Sequence, residues 1–144
     1  MKVRINIEPV AKGRPKVRML NGKVWTFTPK KTEDAQDTIR VLLSRIEPYP
    51  AGVPLKMVAT FYRSKPRWLK RKEDKPFRKP DAINLASLLC DALSKVAYDD
   101  DAQLTTIVIK KRWTKASQAL GRKAVRTPEC SGYIKCEITE DNGI

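Results

Sequence analysis

Histidine is absent from the 144 residues, which excludes every histidine-based scheme of catalysis or zinc binding. Cysteine is scarce. Cys90, Cys130 and Cys136 are odd in number and lack metal-like spacing. They read as reduced thiols, Cys90 in a helix and Cys136 in a strand, which suits a cytosolic compartment. No apolar run approaches the ~20 residues of a membrane span. Met1 leads straight into the charged alternation KVRINIEP, so a secretory leader is not expected. No basic amphipathic helix carries the aromatic or Leu-rich face of a membrane-surface segment. Acid is also in short supply: 16 Asp and Glu stand against 30 Lys and Arg, a formal charge of +14.

That excess opposes folding by self-repulsion unless an anionic partner relieves it. A phosphate backbone is the natural partner, because Lys and Arg displace its condensed counterions. With 41% hydrophobic and 32% charged residues the chain reads as globular. Its length is that of one ordinary domain, taken here as residues 1–144.

Val3, Ile5 and Ile7 alternate with polar residues and predict a strand that Pro9 stops. Residues 10–23 carry Lys12, Arg14, Lys16 and Arg18 around Gly13 and Pro15. They read as a basic loop leading to the turn Asn21-Gly22. VWTFT follows as a short strand. Thr28 and Pro29 mark a helix start, with Thr28 as cap and Pro29 first in the helix. Ala35, Ile39, Leu42, Leu43 and Ile46 then repeat at helical spacing over about four turns.

Leu55 to Arg63 is the clearest strand, rich in β-formers and alternating. Residues 64–80 hold eight Lys and Arg and three prolines, and read as a second basic loop. Leu85, Leu88, Leu89, Leu93 and Val96 make one apolar face of a helix from about Asn84 to Ala97. Asn84, Ser87, Asp91 and Lys95 line another face. Strands are predicted at Gln103–Trp113 and Gly132–Glu140, with a further basic loop at 114–128. The element order implies an α+β domain, a mixed sheet packed by two main helices.

Clustered acids in so basic a chain need a reason. Asp99, Asp100 and Asp101 are adjacent, and like charges at that range repel. A divalent cation among them would relieve the repulsion. Mg²⁺ takes hard oxygen ligands and keeps waters, so two or three carboxylates suffice. Such an ion activates water and stabilises charge on a phosphate in transit. The plain alternative stays open: an acidic triplet is also an ordinary solvated turn, Asp81 an ordinary helix cap, and the basic loops ordinary surface.

The stretch KPDAINLASLLCDAL…YDDDAQL, Lys79 to Leu104, resembles the core motif of the RusA-type Holliday junction endonucleases. That motif runs basic residue, Pro, Asp, any residue, Asp, Asn, Leu, then a helix with Asp-Ala-Leu, then Asp-Asp-x-Gln before a strand. GRPKVR and TFTPKKT, between Gly13 and Thr32, are similar to the family as well. The resemblance covers Pro9 to Asp37 and Phe61 to Trp113, more than half of the chain.

The resemblance implies a homodimeric, Mg²⁺-dependent endodeoxyribonuclease, with Mn²⁺ able to substitute, that resolves four-way junctions in DNA recombination and repair. It implies a bacterial or prophage-encoded origin, no membrane partner and no small-molecule cofactor. By position, Asp81, Asp100 and Asp101 match the catalytic and metal-binding acids, and Asn84 and Asp91 the supporting residues. Asp99 has no clear counterpart. Two departures stand out: the family's second aspartate falls on Ile83, and a lysine often found three residues after the Asn falls on Ser87. A catalytically impaired junction- or nucleic-acid-binding protein is the competing reading.

DNA contacts are expected from Lys12, Arg14, Lys16 and Arg18, and from Arg67, Lys70, Arg71, Lys72, Arg78 and Lys79. Trp68 and Phe77, interleaved with the second set, are candidates for base stacking, or for anchoring their loop to the core. One geometric problem remains. Asp81 precedes a helix ~20 Å long and Asp101 follows it, whereas ligands of one ion lie within a few Å of each other. Either the helix ends early, near Ser94, and the chain returns, or a twofold dimer sets Asp81 against the second chain's Asp101. In the second case the Leu85, Leu88, Leu89 and Leu93 face serves as interface; its alternative is ordinary core packing.

Overall fold

The computed structural model describes residues 1–66, 75–115 and 131–143. Arg67, Trp68, Lys70, Arg71, Lys72 and Cys130 therefore lie outside the described residues. The elements are β1 (Lys2–Ile5), β2 (Lys16–Leu20), β3 (Lys23–Phe27), α1 (Lys30–Leu42), β4 (Leu55–Arg63), α2 (Ala82–Leu93), β5 (Leu104–Trp113) and β6 (Tyr133–Glu140). A 3-10 turn at Asp101–Gln103 precedes β5.

Four strands form a mixed sheet in the order β1-β6-β4-β5. Only β4 and β5 are parallel to each other, joined through α2 as a crossover. Their alternation explains the layers. Leu55, Met57, Ala59 and Phe61 of β4, and Ile134, Cys136 and Ile138 of β6, point inward and are buried. They join Ala35, Ile39 and Leu43 of the α1 segment and Leu85, Leu88, Leu89 and Leu93 of α2 in one cluster. Burying each such leucine contributes roughly 1.5–3 kcal/mol. The α+β expectation of two helices on a mixed sheet holds.

The sequence reading errs in three places. The basic loop at 10–23 contains strand β2, which pairs antiparallel with β3 through a two-residue turn. Asn21 and Gly22 have φ of 52° and 75°, the conformation a tight hairpin demands. At α1 the flanking residue is Pro29, not Thr28; the Pro29 carbonyl accepts from the Thr32 and Glu33 amides. At α2 the helix stops at Leu93, four residues before Ala97.

A carboxylate pins the roots of both long basic segments. Glu8 accepts from the Ser64 amide at 3.1 Å and from the Gly132 amide at 2.5 Å. Only glycine fits at 132, because a Cβ there would strike the Glu8 carboxylate and come within 2.7 Å of the Tyr62 carbonyl.

Candidate active site

Helix α2 displays the motif. Its leucines face the core, so the residues between them must face out. Asp81 sits at the N-cap with extended backbone, φ −68° and ψ 142°, and makes no side-chain capping bond to the described helix. The bland role of a helix cap is thus not the one it fills. Ile83 and Asn84 are exposed in the first turn, Ile83 to 76%. Asp91, two turns on, is half-buried.

Two cations hold the segment that delivers Asp81. Lys111 Nζ donates to the Arg78 and Pro80 carbonyls, each at 2.8 Å. Arg63 donates to the Lys79 carbonyl at 3.0 Å. Burial and the Arg63 guanidinium push the Lys111 ammonium below its ordinary range, while the Asp81 carboxylate pulls it up. Neither Lys111 nor Arg63 figures among the residues singled out from sequence. The available signal was Lys111's register opposite core-facing Phe61, an inward position for a lysine.

Beyond α2 the chain doubles back. Lys95 takes the left-handed conformation, φ 67°, and its amide donates to the Tyr98 carbonyl. Buried Tyr98 donates its hydroxyl to the Cys90 carbonyl at 2.8 Å, which ties the return to the helix. Burial, with Asp101 and Asp91 nearby, pushes the Cys90 thiol up to about 11, so it stays protonated and unreactive at neutral pH.

The three acids of the run do three different things. Asp99 is salt-bridged to Lys95 at 2.8 Å. Asp100 caps the 3-10 turn, accepting from the Ala102 amide at 2.9 Å. Asp101 is exposed. Gln103 fixes the first two: its Oε1 accepts from the Asp99 and Asp100 amides, and its Nε2 donates to the Pro50 and Val53 carbonyls. The Ala102 amide holds Asp100 below the usual carboxylate range. The Asp100 carboxylate beside it, partial burial and Asp91 all raise Asp101. A raised carboxyl disfavours its ionised form in the folded chain, so this strain is absent in acid and grows as pH rises through the Asp101 pKa. A cation among these oxygens would reverse it.

Asp91 meets the Lys12 ammonium at 2.7 Å. Lys12, placed among the DNA contacts, therefore spends its charge on α2 rather than displaying it freely. Ser87 lies one turn before Asp91 on the same helix. Arg14, Lys16, Arg18, Arg78 and Lys79 are exposed, as expected of phosphate contacts.

Asp91, Asp100 and Asp101 thus gather at one end of α2, and Asp81 stands at the other. The helix between Asp81 and Ser94 has twelve residues and is ~18 Å long. Among the described residues no group of three or more His, Cys, Asp or Glu side chains is close enough to hold a metal. The early helix end does occur, yet Asp81, Asp100 and Asp101 do not form such a group. The apolar face of Leu85, Leu88, Leu89 and Leu93 is at most 1% exposed and belongs to the core, which removes it as an interface. No described helix is long and apolar enough to cross a membrane.

Carboxylates at both ends of one helix on a strongly basic domain are a combination suited to phosphodiester chemistry. Residues 6–120 match the family described as Endodeoxyribonuclease RusA. In Bacillus subtilis (strain 168), the protein called "Uncharacterized protein YqaN" is 31% identical over 115 residues, 72% of this chain and 81% of that protein. The chain belongs to the RusA endodeoxyribonuclease family.

Proposed function

We propose that this chain is a structure-selective endodeoxyribonuclease that resolves four-way DNA junctions with Mg²⁺, acting as a homodimer. What carries the reading is the state of the acids. Asp81 is uncommitted to its helix, and Asp101 is electrostatically strained by Asp100 and Asp91. Both conditions suit hard-cation ligands. The ~18 Å helix α2 stands between these acids in one chain, so a twofold copy would complete each site: Asp81 of one protomer with the partner subunit's Asp101, helped by Asp100. The leucine face of α2 is buried in the core, so the copies would meet through another surface.

When bound, the metal supplies an activated water and charge stabilisation at the phosphorus. Residues of the chain do the remainder. Lys111 and Arg63 fix the backbone before Asp81, and Gln103 fixes the run before β5. Asn84 and Asp91 support α2's outward face, and the basic segments hold phosphates whose spacing encodes junction shape. Asp101 must be ionised to bind the ion, so protons compete with Mg²⁺ there, and the Mg²⁺ needed for half-maximal cutting is expected to rise as pH drops through the raised pKa of the metal-free acid.

The test is a synthetic four-way junction incubated with and without Mg²⁺, alongside Asp101→Asn. Metal-dependent paired cuts that fall at least ~100-fold in the variant are expected. Cutting without metal, or at full rate in Asp101→Asn, would sink the proposal. Lys111→Met is expected to slow cutting by about 10- to 100-fold, the usual loss for an outer-shell partner. Half-saturating Mg²⁺ should rise while junction affinity stays within a few fold. Unchanged kinetics in Lys111→Met would remove it as a positioning residue.

A second reading is favoured by Ile83, an exposed apolar side chain where the family motif has an acid. On that reading the protein binds junctions and cuts them poorly. Salt-sensitive binding without products at any Mg²⁺ concentration would support it.

A further inference from the structure

The hairpin β2–β3 is exposed at all ten strand positions. Its two faces differ in kind. Across one face each rung pairs a cation with an apolar or aromatic residue: Lys16 with Phe27, Arg18 with Trp25, Lys23 with Leu20. The other face carries no charge, with Val17 opposite Thr26 and Met19 opposite Val24. Trp25 is 60% exposed and Phe27 46%. A solvated two-stranded hairpin is marginally stable alone, and large exposed aromatics mark a binding surface.

Its root is rigid and lies beside the candidate site. The Gly13 amide donates to Thr32 Oγ1, and the Lys12 amide to the Asn84 carbonyl on α2. Glycine is needed at 13, where a Cβ would come within 2.9 Å of Pro29. The arm thus springs from the helix that carries Asp81 and Asp91. Five residues per strand give it a reach of ~17 Å, and a two-stranded ribbon fits the ~12 Å width of a major groove.

We propose that this hairpin is a DNA-probing arm, in which Trp25 stacks on a base unstacked at the branch point while Lys16, Arg18 and Lys23 hold the flanking phosphates. The inference rests on the junction-binding reading above. Charge decides between occupants. On the face that carries Trp25, a second copy of a +14 chain meets three cations poorly, whereas a phosphate backbone meets them well. The cleft at the arm's base carries Glu33 and Asp34 beside Lys30, so it offers phosphate no net attraction and the outer rungs hold the arm's cations.

The experiment compares the full-length protein with Trp25→Ala, Trp25→Phe and Met19→Ala. Each binds a four-way junction carrying 2-aminopurine at the branch point, and a linear duplex of matching sequence. Trp25→Ala should bind the junction roughly 5- to 150-fold more weakly, the range for losing one stacked base. It should also lose the change in 2-aminopurine fluorescence, yet bind duplex nearly as before. Trp25→Phe should keep most of both, and Met19→Ala should match the unaltered protein. Equal weakening on junction and duplex, or by Met19→Ala as much as by Trp25→Ala, overturns the inference. So does dissociation of the Trp25→Ala oligomer in sedimentation, which would make the arm a protein contact. Failure of the unaltered protein to bind any DNA overturns the underlying reading as well.

Discussion

Mixing Asp81→Asn with Asp101→Asn protein is expected to restore cutting that neither variant has alone. In the proposed homodimer with shared sites, each pure variant lacks one acid at both sites. In the mixed dimer one site lacks both acids, while the other keeps Asp81 from one protomer and the partner subunit's Asp101. That intact site should nick one strand, so mixed samples give nicks and few paired cuts. Once subunits have exchanged in equal amounts, half of the dimers are mixed, each with one intact site of two, so the recovered rate should approach about a quarter of that of the unaltered dimer, against a loss of at least ~100-fold in each parent. The expectation follows from the ~18 Å helix α2 that stands between the acids in one chain. If each site instead lay within one chain, the mixed dimer would contain two half-dead sites and nothing would recover. A nick assay on a labelled four-way junction, run before and after exchange, separates the cases.

Much of this arrangement is legible in the sequence, and the misses have physical causes. The alternation of Leu55 to Arg63 gives β4 and its inward residues, and the leucine spacing gives the buried face of α2. The end of α2 is overrun because Val96 keeps the helical period. The stop is set instead by Tyr98, whose hydroxyl reaches back eight residues to Cys90. Strand β2 is missed because neither of its faces is buried, so no core-facing pattern marks it. Asn21-Gly22 was still a hairpin turn in plain view. Around the acids, the motif identifies Asp81 and the run after α2. It cannot reveal that Asp99 is occupied by Lys95, that Lys12 reaches Asp91, or that Lys111 braces Asp81 from 30 residues away. Those are tertiary contacts between segments with no local signature.

Ile83→Asp is expected to raise Mg²⁺ affinity about 10-fold or more and to increase cutting, without cost to stability. Its side chain is 76% exposed, so the substitution removes little packing. It lies in the first turn of α2, which at present contains no acid. A carboxylate there faces the positive end of the helix dipole and should add ~0.3–1 kcal/mol of stability. It also stands two residues after Asp81, offering a second oxygen ligand next to the first. The two effects are measured separately. Thermal melting without metal reports the dipole gain, and Mg²⁺ titration of cutting reports the ligand. A rise in both leaves Ile83 as a position where this chain forgoes metal affinity. A gain in stability alone would mean that residue 83 never meets the ion, and the metal reading would then rest on Asp81 and the Asp100–Asp101 pair. A jump from no cutting to measurable cutting would show that the unaltered chain binds junctions and leaves them whole.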